Sequence, residues 1–142
     1  MSGCPLCETV KRVREGREPA FIAELSESYA LLGENQGCRG WVVLVLKEHA
    51  EHLAALGEER QARLFADVTR VARAQRAVFG EVRINYECLG NVVAHVHWHV
   101  IPRHGDDPAP RGAVWGWSAE VLRGTVGADQ RQALIERLKA AM

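Results

Sequence analysis

The sequence lacks the features of a membrane protein and of a secreted protein. None of its 142 residues belongs to an apolar run long enough to cross a bilayer. The motif Cys4-Pro5-Leu6-Cys7 stands where a signal peptide would need its apolar segment. We therefore expect a cytoplasmic protein whose 4 cysteines are thiols or metal ligands rather than disulfide partners.

The sequence also has no excess of either charge. Its 18 lysines and arginines balance 18 aspartates and glutamates, so no overall field attracts a polyanion. This balance argues against nucleic acid as a main partner and leaves room for a local cationic pocket that binds a few phosphates. Because the chain has neither an internal repeat nor a linker and has the length of one domain, we expect residues 1–142 to form a single domain.

Strand signals recur along the chain. Apolar and β-branched residues fill residues 21–25, 29–32 and 41–46, and turn residues separate these stretches. A fourth strand is predicted over residues 82–89, followed by a turn or bulge at Gly90 and Asn91 and by one more strand. The first three stretches are therefore predicted to form an antiparallel meander, and the last two strands a hairpin.

Two segments have helical spacing. Residues 58–79 combine an apolar side with an opposite side rich in arginine that also includes Asp67. The predicted apolar side consists of Leu64, Phe65, Val68, Val71, Ala72, Val78 and Phe79. A closing helix follows Asp129 and presents Leu134, Ile135 and Leu138. We predict an α+β fold in which a long helix and a C-terminal helix pack on a twisted sheet of about five strands.

The most informative stretch is residues 91–103, which places His95, His97 and His99 at alternate positions within an apolar run. In an extended strand these three imidazoles share one face, and the intervening apolar side chains share the other. A neutral imidazole is both a nucleophile towards phosphorus and a metal ligand. The pattern alone therefore predicts either covalent phosphoryl chemistry or a metal site.

The N-terminal pair of thiols leaves two alternatives as well. Cys4 and Cys7 have the spacing at which two thiolates converge on one tetrahedral metal. A redox dithiol is the other use of this motif, but that use normally lies between a strand and a helix, and no strand can precede position 4. A structural zinc would need two more ligands, and histidines are available downstream.

The run His95-Val-His97-Trp-His99-Val-Ile resembles the His-x-His-x-His-x-x signature of the histidine triad superfamily of nucleotide hydrolases and transferases. The stretch Gly40-Trp-Val-Val-Leu-Val-Leu-Lys-Glu-His49 is similar to Gly-His-x-Leu-Val-Ile-Pro-Lys-x-His in that superfamily. Residues 90–116 resemble a bacterial subgroup described as diadenosine tetraphosphate hydrolase-like. In that subgroup the first triad histidine is often Gln, so this chain departs from it in the direction of zinc binding.

The resemblance implies a catalytic role for two histidines. The middle histidine, His97, would attack the α-phosphorus of a nucleotide conjugate, and the nucleotidyl-histidine formed would pass the nucleotide to water or another acceptor. The last histidine, His99, would contact the phosphate or the leaving group. Substrate contacts are implied for Asn35, Asn85 and Asn91, whereas the acidic residue that usually holds the ribose is replaced by a glycine at position 33.

The resemblance also implies a structural zinc ion, one per chain, bound by Cys4, Cys7, His49 and His95. His52, which lies one helical turn beyond His49, is the alternative ligand. Members of the superfamily usually form homodimers, and we expect the same here. Two further functions stay open: a phosphorylase that splits dinucleoside polyphosphates with phosphate, and a nucleotide-binding or interaction protein with little turnover.

Overall fold

The computed structural model of the protein describes residues 3–142 and places five strands in one antiparallel sheet. The strands are β1 (Phe21–Glu24), β2 (Ser28–Leu32), β3 (Val42–Leu46), β4 (Arg83–Glu87) and β5 (His97–Arg103). Their order in space is β1-β2-β3-β5-β4, so β3 is central and β4 forms an edge. The predicted α+β fold with a five-stranded sheet is confirmed.

Helices cover the two faces of the sheet unequally. They are α1 (Pro5–Arg14), α2 (Glu58–Phe79), α3 (Ala119–Arg123) and α4 (Ala128–Ala141), with 3-10 turns at Leu53–Ala55 and Val114–Gly116. The long α2 and the C-terminal α4 share the main apolar core with one face of the sheet. On the other face α1 packs against β1, β2 and β3, and a second apolar cluster, which includes Trp41, Ile101 and Val114, packs against β3 and β5. Among residues 3–142, none of the helices is long and apolar enough to span a membrane.

The alternation along β3 decides which face carries the histidines. Val42 and Leu44 belong to the core beneath α2 and α4, so Val43 and Val45 point to the opposite face. These two residues are the cross-strand neighbours of His99 and His97, respectively. Since paired residues on adjacent strands share a face, both histidines lie on the face that carries α1 and the cluster of Trp41, Ile101 and Val114.

Three details differ from the sequence expectation. His95 lies just before β5, outside the strand. Phe65, predicted on the apolar side of α2, is 60% exposed, because the buried positions centre on Leu64, Val68 and Val71 and leave it at the margin. Asp67, predicted on the solvated side, is buried.

The burial of Asp67 has a clear physical reason. Its carboxylate accepts hydrogen bonds from the backbone N–H of Ser26 and Glu27 and from the hydroxyl of Ser28, at 3.1, 2.8 and 2.8 Å. These groups form the turn between β1 and β2, where backbone donors buried under α2 need an acceptor. The side chain thus joins the long helix to the first hairpin.

Candidate functional site

Four side chains that could bind a metal ion meet at the end of β3. Cys4, Cys7, His49 and His95 each offer one ligand atom, and these atoms all lie within 4.8 Å of one another. The Nδ1 atoms of the two histidines are 3.3 Å apart. The Sγ atom of Cys7 lies 3.4 Å from Nδ1 of His49 and 3.6 Å from Nδ1 of His95, and Sγ of Cys4 lies 3.5 Å from the latter.

These separations fit a tetrahedral zinc ion. Ordinary zinc–sulfur and zinc–imidazole bond lengths imply edges of about 3.3 Å between two nitrogens and about 3.5 Å between nitrogen and sulfur. The observed separations of 3.3 Å and 3.4–3.6 Å match both values. With four protein ligands, no position remains for a substrate or a catalytic water. The donor set therefore suits a structural metal.

Several elements bring the four ligands together. Cys4 caps α1, Cys7 lies in its first turn, and His49 follows β3. The imidazole of His95 is 1% exposed and donates its Nε2–H to the carbonyl of Leu46 at 2.9 Å. This hydrogen bond leaves the lone pair on Nδ1, the atom that faces the other ligands. His52, the alternative ligand, is exposed and lies outside this group.

His97 is oriented by the backbone just before its strand. Its Nδ1–H donates to the carbonyl oxygen of His95 at 2.6 Å. The lone pair of the neutral ring then belongs to Nε2. The ring is half-buried and lies 5.2 Å from the ring of His99. The structure thus presents a nucleophilic nitrogen beside a second imidazole.

His99 has aromatic neighbours. The indole N–H of Trp41 donates to its Nδ1 at 3.2 Å, and the rings of Trp41 and Trp115 meet it edge to face at 5.6 and 5.2 Å. Burial and the neighbouring His97 lower the pKa of His99 to about 4. Near neutral pH this imidazole is therefore uncharged, unlike the imidazolium that commonly stabilises phosphoryl oxygens.

A loop after β5 brings Trp115 to the site. Trp115 is 42% exposed, and its indole N–H donates to the carboxylate of Glu87 on β4. Glu87 is the cross-strand neighbour of His99, so this contact closes the rim of the site at the edge strand. The ring of Trp115 and the carboxylate of Glu87 therefore border the site beside the histidines.

Arg103 at the end of β5 holds the loop in place. Its Nε donates to Asp107 at 2.6 Å, and the side chains of this ion pair are 6% and 2% exposed. The guanidinium also donates to Asn85 at 2.7 Å and to the carbonyls of Gly112 and Ala109 at 2.8 and 3.0 Å. This buried network fixes the path of the chain between the strand and Trp115.

The three asparagines occupy different places. Asn85 lies on β4, and its side-chain oxygen accepts the hydrogen bond from Arg103, so it supports the loop. Asn91 is exposed in the connection between β4 and β5, four residues before His95. Asn35 is partly exposed in the loop between β2 and β3, beside the buried Gln36, whose amide binds the carbonyls of Gly33 and Trp41 at 2.9 Å each.

Four residues of the site were not singled out from the sequence. These residues, Trp41, Trp115, Glu87 and Arg103, come together around the sheet face that carries His97 and His99 because β3, β4 and the loop after β5 meet there. Arg103 offered one signal, because a charged residue at the end of an apolar strand needs buried partners. Trp41 offered another, because it stands where the superfamily stretch has a histidine.

Comparisons with known proteins agree with the geometry. Residues 15–106 match the HIT domain. The Protein hit of Bacillus subtilis is 32% identical over 106 residues, which are 71% of this chain and 72% of that protein. A histidine triad protein from Bradyrhizobium japonicum is 29% identical, with a TM-score of 0.75 over 84% of this chain and 87% of that one.

A Zn-bound histidine triad family protein from Mycobacterium smegmatis has a similar structure as well. It is 25% identical, with a TM-score of 0.69, and the match covers 98% of this chain and 92% of that chain. This structural match covers nearly the whole chain, whereas the match to the HIT domain begins at residue 15, after α1. With His97 and His99 on one sheet face and the domain matched across residues 15–106, the chain belongs to the HIT domain family.

Proposed function

We propose that the protein is a nucleotide hydrolase or nucleotidyl transferase that acts on the α-phosphate of nucleotide conjugates through a nucleotidyl-His97 intermediate. Membership of the HIT family supports nucleotide-binding or nucleotide hydrolase and transferase activity. The single observation that carries the proposal is the hydrogen bond of 2.6 Å from Nδ1–H of His97 to the carbonyl of His95. It leaves the lone pair on Nε2, as a nucleophile requires.

The reaction would proceed in two displacements. In the first, Nε2 of His97 forms a bond to the α-phosphorus while the bond to the leaving group breaks, and its electron pair goes to the leaving atom. In the second, water or another acceptor displaces His97 and releases the nucleotide. Hydrogen bonds from His99 to the phosphoryl or leaving oxygen would stabilise the charge that develops there. We assign the substrates to dinucleoside polyphosphates or nucleoside phosphoramidates, in line with a diadenosine tetraphosphate hydrolase-like subtype.

A zinc ion bound by Cys4, Cys7, His49 and His95 would support this chemistry indirectly. The match to tetrahedral separations and the lone pair on Nδ1 of His95 support zinc as the metal. When bound, the ion would tie α1 to the loop before β5. The carbonyl of His95, which orients His97, would thereby be fixed relative to β3.

We also propose roles for the asparagines and for a partner chain. Asn35 and Asn91 would contact the nucleoside and the phosphate, and Asn85 would hold the phosphate site through Arg103. We propose a cytoplasmic homodimer, in keeping with the usual state of the superfamily. Light scattering after size-exclusion chromatography would give a mass near twice 15.7 kDa if the dimer forms.

Trapping of the intermediate tests the proposed reaction. The protein is mixed with diadenosine tetraphosphate labelled at the α-phosphorus and quenched under alkaline denaturing conditions, which preserve a phosphoramidate bond. We expect label on the wild-type chain and on a His52→Ala control, and none on His97→Ala. A pure binding protein would acquire no label, and a phosphorylase would release nucleoside diphosphate only when phosphate is present.

A further inference from the structure

Trp41 is held rigidly next to the sheet face that carries His97 and His99. It is 1% exposed, and its carbonyl oxygen accepts hydrogen bonds from the backbone of Gly33 and the side chain of Gln36 at 2.8 and 2.9 Å. The preceding Gly40 has φ +86°, and a Cβ there would overlap the ring of Phe79. A glycine is therefore needed for the turn that inserts the indole.

This rigid indole decides where the proton of His99 lies. The indole N–H can only donate, and it points to Nδ1 of His99 at 3.2 Å. Nδ1 must then carry the lone pair, and the one proton of the neutral ring must be on Nε2. Adding a proton to Nδ1 would place two N–H groups against each other, so the indole also opposes the imidazolium form.

The other groups around His99 agree with a neutral ring. The titratable neighbours are His97 on the same strand and Glu87 on β4, whose carboxylate accepts the indole N–H of Trp115. Burial and His97 together keep the pKa of His99 low, at about 4. A neutral imidazole can give a hydrogen bond from Nε2, but loss of that proton would create an imidazolate, which is far too basic at neutral pH.

The requirement for a proton differs between the two substrate classes. When a phosphoanhydride is cleaved, the P–O bond breaks and the electron pair stays on a phosphate oxygen, which is a stable anion. When a phosphoramidate is cleaved, the P–N bond breaks and the amine nitrogen must receive a proton as it leaves. An imidazolium could supply that proton, whereas a neutral His99 can supply only a hydrogen bond.

We propose that Trp41 is a positioning residue that fixes His99 as the neutral Nε2–H tautomer, and that the site consequently prefers phosphoanhydrides to phosphoramidates. The inference rests on the proposed nucleotidyl transfer through His97. It selects phosphoanhydrides from the two substrate classes that the proposed function includes. Trp41 stands where the similar superfamily stretch has a histidine, a side chain that could accept a proton as well as donate one.

The tautomer can be tested without any turnover. Nitrogen-15 NMR spectra of histidine-labelled, zinc-loaded protein distinguish a protonated ring nitrogen from one with a lone pair. We expect the signals assigned to His99 through a His99→Asn spectrum to show a lone pair on Nδ1 and a proton on Nε2 between pH 6 and 8. A proton on Nδ1 in that range would overturn the proposal, whatever the activity.

Substrate preference provides the second test. We compare kcat/KM for diadenosine tetraphosphate and for an adenosine phosphoramidate in the wild type, Trp41→Phe, Trp41→His and Trp117→Phe. Trp117 packs in the same apolar cluster but has no hydrogen bond to a histidine, so its substitution controls for lost packing. We expect the wild type and the Trp117→Phe control to favour the phosphoanhydride.

For Trp41→His we expect the preference to shift towards the phosphoramidate by about two- to tenfold, the range expected for one hydrogen bond. Trp41→Phe should shift it in the same direction and weaken the tautomer signal. The proposal would be overturned if the wild type had the same kcat/KM for both substrates. It would also be overturned if Trp117→Phe changed the preference as much as the Trp41 variants. If the wild type cleaves neither substrate although the NMR spectra show the expected tautomer, the proposed function is contradicted, and the substrate preference that rests on it is contradicted as well.

Discussion

The three triad histidines are each held in place by a different hydrogen bond. His95 donates from Nε2 to Leu46 and His97 from Nδ1 to the backbone, whereas His99 accepts at Nδ1 from Trp41. The three lone pairs consequently lie on Nδ1, Nε2 and Nδ1. Alternation in the sequence predicted a shared chemistry, but the partners of His95 and His99 are Leu46 and Trp41, which are distant in sequence, so no local pattern could give the roles of these two histidines.

Removal of the His97 imidazole should abolish turnover while leaving the fold intact. His97→Ala deletes the attacking atom and keeps the metal-binding group and the packed face of β5. We expect kcat to fall by about 10⁴ to 10⁶, the range for loss of a nucleophile. His99→Asn should cost about 10² to 10³, as for loss of one charge-stabilising donor.

Steady-state kinetics on diadenosine tetraphosphate, with circular dichroism to verify folding, measures both effects. His52→Ala is the matched control, because this histidine is exposed and outside the metal-binding group. A folded His97→Ala protein with wild-type turnover would contradict the mechanism.

The low pKa of His99 should also make folding stability depend on pH. Its pKa falls from 6.5 to about 4 on folding, so between these values the unfolded chain binds a proton that the folded chain does not. The free energy of unfolding should therefore be undiminished above pH 6.5 and decrease as the pH falls through this window. His99→Asn removes this contribution and should flatten the decrease.

Urea unfolding of both proteins at several pH values from 7.5 to 4.5 checks this expectation. Acid also protonates metal ligands, but that loss is common to the wild type and the variant. The difference between the two curves therefore isolates His99. Parallel curves over the whole range would show that the pKa of His99 is not lowered.

At the scale of elements, the strands and the two long helices were predictable because their spacing is local. The start of β5 was not, because a contact with another loop determines it. Leu46 N–H donates to the carbonyl of Val96 at 3.1 Å and Val96 N–H to that of Ala50 at 2.8 Å, so the chain near His95 pairs with the end of β3 and the loop after it rather than continuing the ladder with β4. This early departure from the sheet turns His95 towards the cysteines.

Arg103 makes the most buried contacts of the segment after β5. Gly, Pro and Asp residues in positions 104–117 are typical of a surface loop, and its two tryptophans need a surface on which to pack. The order comes from Arg103, whose guanidinium reaches Asp107 and two backbone carbonyls. Loop composition gives no indication of which distant donor will satisfy its carbonyls.

Arg103→Met should release this loop. The substitution leaves the carboxylate of Asp107, now 2% exposed in its side chain, without its buried cation, and we expect a loss of about 3–5 kcal/mol in unfolding free energy. Trypsin should then cleave more rapidly after Arg111, which is exposed within the loop. Urea unfolding and timed proteolysis measure the two effects.

Arg39→Met serves as the control for the Arg103 substitution. Arg39 pairs with Asp106 at 3.3 Å, but its side chain is 50% exposed, and such surface pairs contribute about 1 kcal/mol or less. Equal effects of the two substitutions would show that burial of the Arg103 network contributes nothing to the order of the loop.

At the scale of the whole molecule, the sequence predicted the fold and the family through motifs within single segments. The meeting of positions 4, 7, 49 and 95 could be inferred from the resemblance but not from spacing, because it depends on how α1 packs against β2 and β3. The surroundings of the histidine face have the same origin. Val45 packs in the cluster under α1, whereas Val43 contacts both that cluster and the cluster of Trp41, Ile101 and Val114, because the sheet order places β3 beside β5.

We predict one tightly bound zinc ion per chain, and we propose that it makes residues 1–142 unfold as one cooperative domain. The ion would join α1, the loop after β3 and the segment before β5, and would add to the backbone hydrogen bonds of Val96 and to the packing of α1 on the sheet. Because the unfolded chain has no preformed site, the binding free energy adds to the stability of the folded state, and its removal should cost several kcal/mol. Cys7→Ser should lose the zinc, whereas Cys88→Ser, whose thiol lies outside the group, should retain it.

Elemental analysis and thermal unfolding of the zinc-loaded and chelated proteins test this prediction. The loaded wild type should contain one zinc per chain and unfold in a single transition, and chelation should lower its Tm to that of Cys7→Ser. Chelated protein should also lose activity, since the carbonyl of His95 would no longer be fixed at 2.6 Å from Nδ1 of His97. Purified protein without zinc, or full zinc retention in Cys7→Ser, would refute the assignment of the metal site.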